Sequence, residues 1–127
     1  MDTLKISATL EDYLELIYET IQEKSTIKAI DIAKKFDISR ASVTEALQRL
    51  EQKGYISYGR YQPILLTDKG TNLAKEIIYK HETLQKFFIS VLNLSEEEAE
   101  INACRIEHII TTTAFERIKE YVISNKL

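Results

Sequence analysis

Five consecutive residues near the end of the chain, Cys104-Arg105-Ile106-Glu107-His108, contain three different metal-binding side chains. Residues three and four apart share one face of an α-helix, so Cys104 is predicted to lie beside Glu107 and His108. A thiolate, a carboxylate and an imidazole together suit a divalent transition-metal ion. Three ligands do not complete a coordination shell, so other parts of the chain could supply further ligands.

Two other segments offer such ligands. Asp12 and Glu15 are three residues apart in a helical pattern, and His81 is one of only two histidines. Each residue also has an ordinary explanation, since Asp12 and Glu15 could be solvated charges and His81 a surface residue. Cys104, the single cysteine, cannot form an internal disulfide and could simply fill the core. The residues alone therefore leave metal binding and plain structural roles open.

A second set of residues suits contact with DNA. Two short helical patterns that are separated only by Asp37-Ile38 and the residues around it predict a helix-turn-helix, and two β-prone runs after it predict a wing with a basic tip. The start of the second helix of such a motif enters the major groove, where hydroxyls, guanidinium groups and methyl groups contact phosphates and bases. The alternative is that these side chains only cap the helix or carry solvated charge. The predicted DNA-binding residues are Ser39, Arg40, Ala41, Ser42 and Thr44 in the helix and Arg60 and Tyr61 at the tip of the wing.

The distribution of charge is compatible with this partner. The chain of 127 residues has a net charge of -3, but the segment from Lys24 to Arg60 contains eight basic and four acidic residues. A basic segment within an acidic chain can still bind phosphates, although its nonspecific affinity is modest because few counterions are released. The net charge therefore does not exclude double-stranded DNA.

Apolar periodicity predicts a mainly α chain with six helical stretches and one hairpin. Thr9, Ser39 and Ser95 are predicted N-caps of three of the helices. The expected organisation is a winged helix-turn-helix domain with a two-stranded wing over residues 1–70, followed by an all-helical domain over residues 71–127. No apolar run approaches the roughly 20 residues that span a bilayer, and the N-terminus lacks the pattern of a signal peptide, so a cytoplasmic protein without membrane contact is expected.

Large apolar residues in the second half exceed what a monomer of this length comfortably buries. They predict the interface of a homodimer, and the residues concerned are Phe87, Phe88, Val91, Ile109, Ile110, Phe115 and Ile118.

Several stretches, taken in order, resemble the signature segments of the diphtheria-toxin-repressor family of iron- and manganese-dependent regulators. They are Leu10-Glu11-Asp12-Tyr13-Leu14-Glu15-Leu16-Ile17-Tyr18, Asp31-Ile32-Ala33, Ser42-Val43-Thr44, Leu66-Thr67-Asp68-Lys69-Gly70, Lys80-His81 and Cys104-Arg105-Ile106-Glu107-His108. The resemblance covers nearly the whole chain with matching spacing. It implies a winged helix-turn-helix domain, a helical metal-binding and dimerisation domain, and metal ions bound between them.

The resemblance also implies a ligand set, which is Asp12, Glu15, His81, Cys104, Glu107 and His108. Asp12 is typical of the manganese branch of the family, whereas Cys104 is typical of the iron branch. Glu100 and Gln85 replace two ancillary iron-site residues, and the chain ends at Leu127, where iron-type members continue into a third domain. We therefore expect the short manganese-type branch, with Mn(II) or Fe(II) as activator and Co(II) or Zn(II) as substitutes.

These expectations describe a metal-dependent repressor of metal-homeostasis genes that binds palindromic operators as a homodimer. An enzyme is not expected, because a metalloenzyme needs an open coordination position and a separate base in a cleft. The alternative that remains is a metal-independent winged-helix regulator that senses a small molecule or a partner protein.

Overall fold

The computed structural model describes residues 7–59 and 62–127. Within them, six helices and one two-stranded sheet confirm the predicted mainly α architecture with a single hairpin. The chain divides into two compact units, with the division between Lys75 and Glu76. The elements in chain order are α1 (Ala8–Lys24), α2 (Ala29–Phe36), α3 (Arg40–Gln52), β1 (Ile56–Ser57), β2 (Leu65–Leu66), α4 (Asp68–Ser90), α5 (Glu96–Ile106) and α6 (Thr112–Ser124).

The first unit is built around the helix-turn-helix. Ile17 of α1, Ile32 of α2 and Leu47 of α3 are fully buried in one apolar core. The tight turn between α2 and α3 depends on Asp37, which adopts a left-handed conformation with a φ of 55°, and aspartate tolerates that conformation better than most residues. Ser39 then caps α3, as the sequence predicted, because its side chain accepts a hydrogen bond from the Ser42 amide.

The wing follows α3 directly. Ile56 pairs with Leu66 and Ser57 with Leu65 in antiparallel register. Gly70, in the first turn of α4, lies against the backbone of Tyr55, and a Cβ atom at this position would come within 1.9 Å of the Tyr55 carbonyl oxygen. A residue without a side chain is therefore required where the wing meets α4.

The second unit has its own apolar core. Leu84 and Phe88 of α4 pack with Ala103 of α5 and Phe115 of α6. Phe88 and Phe115, which the sequence assigned to a dimer interface, are thus buried within the chain's own unit. From the same predicted set, Val91 and Ile109 remain exposed, whereas Phe87, Ile110 and Ile118 pack against this core.

The predicted start of α1 is wrong by two residues. The cap is Ser7, whose Oγ accepts a hydrogen bond from the Leu10 amide at 3.3 Å, so Thr9 lies inside the first turn. Among the described helices, none is both long and apolar enough to cross a membrane.

Candidate metal centre and nucleic-acid interface

Glu107, at the end of α5, is the most unusual acidic residue of the second unit because its side chain is only 1% exposed. One carboxylate oxygen, Oε1, lies 2.5 Å from Nδ1 of His81. The other oxygen, Oε2, is buried and has no hydrogen-bond partner within residues 7–59 and 62–127. Leaving a buried acceptor unsatisfied costs about 1–3 kcal/mol, and more for a charged group. The Oε2 atom is therefore placed to bind a cation.

His81 joins two carboxylates. Its Nδ1 faces Glu107 and its Nε2 lies 2.8 Å from Oε2 of Glu100, which is far more exposed than Glu107. The hydrogen bond with Glu107 raises the pKa of His81 from 6.5 to about 9, with a smaller contribution from Glu100, and burial opposes the shift. In the metal-free protein at neutral pH, His81 is therefore an imidazolium that donates a hydrogen bond to each carboxylate.

His108 completes this group within the second unit. Its side chain is 8% exposed, and its Nε2 lies 3.6 Å from Glu107 Oε2, too far for a normal hydrogen bond. The second unit thus gathers His81, Glu107 and His108, three of the six ligands that the resemblance implies. Two imidazoles and a carboxylate with an unsatisfied buried oxygen are a donor set that fits a divalent transition metal.

Cys104 differs from these three residues because it is exposed on α5. In the described parts of the chain, the groups of three or more possible metal-ligating side chains do not include it. Ala103 faces the core, and neighbouring residues on a helix are turned by about 100°, so the next residue lies on the flank of α5. Cys104 is therefore on the flank of α5 and is not among the side chains that already lie close enough together to share one ion.

Glu100 contacts His81, yet the sequence gave it only a minor place. The available signal was its spacing of seven residues from Glu107, since residues two helical turns apart share one face. In the first unit, Asp12 and Glu15 are both half-buried on α1, and their spacing of three residues puts them on a common face of that helix.

The candidate DNA-binding residues lie at the start of α3. Arg40, Ala41 and Ser42 are exposed, whereas Thr44 is half-buried. The Ser39 hydroxyl accepts from the Ser42 amide at 3.1 Å and donates to the Ser42 hydroxyl at 3.0 Å. Ser39 therefore serves as the cap, and the hydroxyl of Ser42 retains its own proton to donate.

The predicted contacts at the tip of the wing, Arg60 and Tyr61, lie outside the described residues. The neighbouring Gly59 and Gln62 are described, and the backbone N–H of Gln62 donates a hydrogen bond to the Gly59 carbonyl at 3.3 Å.

Comparison with protein families matches nearly the whole chain. Residues 5–64 match the N-terminal DNA-binding domain of the iron-dependent repressors, and residues 67–125 match the metal-binding and dimerisation domain of the same proteins.

Individual relatives agree with this result. The chain is 38% identical over 118 residues to an uncharacterised HTH-type transcriptional regulator of Methanocaldococcus jannaschii, with 92% of this chain and 94% of the relative aligned. It is 35% identical over 114 residues to the HTH-type transcriptional regulator MntR of Shouchella clausii, with 90% of this chain and 79% of the relative aligned.

Solved structures include the manganese regulator SloR, which superimposes with a TM-score of 0.77 at 29% identity over 90% of this chain and 53% of that one. The chain thus spans about half the length of that solved relative. Because two family models and two relatives above 30% identity cover most of its length, the chain belongs to the iron-dependent repressor family, the diphtheria-toxin-repressor family of metal-dependent, DNA-binding transcription regulators.

Proposed function

We propose that this protein is a metal-activated transcription repressor that binds operator DNA as a homodimer. The observation that carries the proposal is the buried carboxylate of Glu107, which holds His81 through one oxygen while its other oxygen lacks a hydrogen-bond partner among the described residues. Buried charges in proteins are paired or bind metals, and a second imidazole, that of His108, lies beside the unsatisfied oxygen.

The ligands we propose are the six that the resemblance implies, namely Asp12, Glu15, His81, Cys104, Glu107 and His108. Support is strongest for His81, Glu107 and His108, which are neighbours within one unit. Asp12 and Glu15 are supported by their shared helix face and partial burial. Cys104 has the weakest support because it is exposed.

The chemistry of these side chains bears on which metal activates the protein. A bound divalent ion would place a positive charge beside the buried Glu107 oxygen that has no hydrogen-bond partner among the described residues. Carboxylates and imidazoles accept Mn(II) and Fe(II), whereas a thiolate favours softer ions. Since Cys104 is exposed, we propose Mn(II) as the activator, ahead of Fe(II), with Co(II) and Zn(II) as substitutes. The similarity to a manganese regulator supports this order.

DNA binding is proposed for the first turn of α3 and for the wing. Arg40 and Ser42 are exposed, so they are available to bases and phosphates, and Ala41 is available to a thymine methyl. Ser39 and Thr44 are proposed to support this turn, and Arg60 and Tyr61 are proposed from the sequence alone. A protein that acts on operators in this way is expected in the cytoplasm and is not expected to be an enzyme.

Activation requires that metal and DNA bind cooperatively. A metal ion that binds the DNA-competent conformation better than the other shifts the population towards it. Linkage is reciprocal, so operator DNA must raise metal affinity by the same factor by which metal raises DNA affinity. Measurement of both factors tests the mechanism separately from the identity of the ligands.

The proposed function is tested by DNA titrations with Mn(II), Fe(II), Co(II), Zn(II) or a chelator. The probe is a duplex that the wild-type protein selects from a random pool in Mn(II). Glu107→Gln, which removes the charge but keeps the shape, should abolish the response to metal. Glu97→Gln, on the exposed first turn of the same helix, is the matched control and should behave as wild type.

The alternative function predicts a different result. A metal-independent winged-helix regulator would bind the selected duplex equally well in chelator and in Mn(II), and Glu107→Gln would leave that affinity unchanged. This result would refute metal activation while leaving DNA binding intact.

A further inference from the structure

A cleft of about 350 Å³ in the first unit combines parts of the helix-turn-helix and the wing. The start of α2 and Arg40 of α3 line it together with Tyr58 and Gln62 of the hairpin. Among the described residues, the charged side chains that line it are Lys28 and Arg40, and both are basic. The cleft is therefore cationic and adjoins the turn of α3 that is proposed to enter the major groove.

Another cleft of the same unit has a different charge balance. It measures about 610 Å³, and its lining contains as many acidic as basic side chains, namely Glu19, Glu23, Asp31, Lys24, Lys34 and Lys35. Acids in the lining of a cleft neutralise its potential, whereas a lining with two cations attracts anions. The carboxylates nearest the cationic cleft, Asp31 and Glu51, lie outside its lining and accept hydrogen bonds from the backbone amides of Lys28 and Tyr58. In the described parts of the chain, Lys28 and Arg40 form no ion pair with an acidic side chain.

We propose that the cationic cleft binds the phosphodiester backbone of DNA, with Lys28 as a phosphate-binding residue that holds α3 in register on the duplex. This inference rests on the proposed DNA-binding function and adds a residue that the sequence did not single out. Lys28 is exposed, and its backbone amide donates to the Asp31 carboxylate at 2.9 Å. The Asp31 carboxylate thus anchors the backbone at Lys28, while the lysine side chain extends from a fixed position at the start of α2.

A phosphate contact has a measurable signature. Each phosphate that a protein neutralises adds about 0.9 to the slope of log affinity against log salt concentration. In a homodimer the residue occurs twice, so Lys28→Gln should make the slope shallower by about 1.8. Between about 50 and about 200 mM KCl, the affinity ratio of wild type to variant should then fall by about 12-fold. Because the contact carries no sequence information, the loss should be equal on selected and random duplexes.

The experiment measures fluorescence anisotropy of labelled duplexes in Mn(II) over this salt range. One duplex is selected by the wild-type protein and another of about 30 base pairs has random sequence. Lys34→Gln is the matched control, because it removes the same charge from the same helix but in the neutral cleft, and its slope should equal that of wild type. Lys28→Arg should restore the wild-type slope.

Equal slopes for Lys28→Gln and wild type would overturn the phosphate contact while leaving the proposed function standing. Equal reductions for Lys28→Gln and Lys34→Gln would also overturn it, because a general charge effect would then explain both. If the wild-type protein selected no duplex from a random pool in Mn(II) and did not bind the random duplex, the proposed function and this inference would both fail.

Discussion

The protonation state of His81 in the metal-free protein offers the most direct test of the cluster around Glu107. The contacts with Glu107 and Glu100 raise the pKa of His81 from 6.5 to about 9. An NMR titration of the histidine rings in the presence of a chelator should therefore give a value near 9 for His81. In Glu107→Gln, the same measurement should return the His81 pKa towards 6.5, because the main cause of the shift is removed.

The same shift predicts a pH-dependent stability. A histidine whose pKa is higher in the folded protein stabilises the fold fully below its unfolded pKa of 6.5, and that contribution is lost as the pH rises towards 9. A rise of about 2.5 units is worth about 3 kcal/mol at 1.36 kcal/mol per unit. Glu100 is 57% exposed, so salt and solvent screen its share. We therefore expect the raised pKa of His81 to contribute about 2 kcal/mol to the free energy of unfolding.

Urea denaturation in chelator measures this quantity. The free energy of unfolding of wild type minus that of His81→Gln should fall by about 2 kcal/mol between pH 6.5 and pH 9, because groups common to both proteins cancel. A difference that stays constant over this range, together with an NMR pKa near 6.5, would refute the ion-paired cluster.

The affinity for metal should depend on whether His81 is protonated. An ion that takes a neutral imidazole must displace the proton of His81, so the apparent metal affinity should rise about tenfold per pH unit up to a pH of about 9. A histidine with the ordinary pKa of about 6.5 would weaken metal binding only below about that pH. The contact with Glu107 extends this dependence to higher pH.

Four further changes test other parts of the structure. Arg40→Ala should weaken operator binding by about 1–3 kcal/mol if Arg40 reads a base, and by less if it binds a phosphate; unchanged anisotropy titrations at several salt concentrations would remove it from the interface. Cys104→Glu should keep Mn(II)-dependent DNA binding and weaken the response to Fe(II) and Co(II), since a carboxylate replaces the one soft donor. If, for each of the three metals, the variant and the wild type needed the same metal concentration for half-maximal DNA binding, Cys104 would be excluded as a ligand. Gly70→Ala should cost about 1–3 kcal/mol in thermal denaturation because the added Cβ meets the Tyr55 carbonyl, and wild-type stability would contradict this contact. Sedimentation in chelator should show a dimer that Ile109→Asp weakens, because Ile109 is 76% exposed; a wild-type monomer at micromolar concentration would contradict dimerisation without metal.

Much of the fold was predictable because local rules and the tertiary structure agree. Ser39 and Ser95 cap α3 and α5 as predicted, since a serine that precedes an apolar helical pattern has few competing roles. At the start of α1, however, Ser7 and Thr9 are both good caps, and the sequence alone did not distinguish them. The choice of Ser7 adds two residues to the start of the helix.

The candidate metal site was predictable only in part. Spacing put Cys104, Glu107 and His108 on one face, but periodicity does not say how far the helix is rotated about its axis relative to the core. The alanines at positions 99 and 103 fix that rotation because they are fully buried, and this leaves Cys104 on an exposed flank of α5. The burial of Glu107 could not be predicted from the sequence either, since glutamate side chains are most often exposed to solvent.

The predicted dimer interface shows a limit of reasoning from apolar periodicity. A helix face that is rich in large side chains must be covered, but the pattern is the same whether the cover is the chain's own core or a second copy. Phe88 and Phe115 are covered by their own unit, so their substitution should lower stability rather than dissociate a dimer. Val91 and Ile109 remain exposed. Within the predicted set, a change in association without a change in the stability of the unit is therefore expected at these two exposed positions.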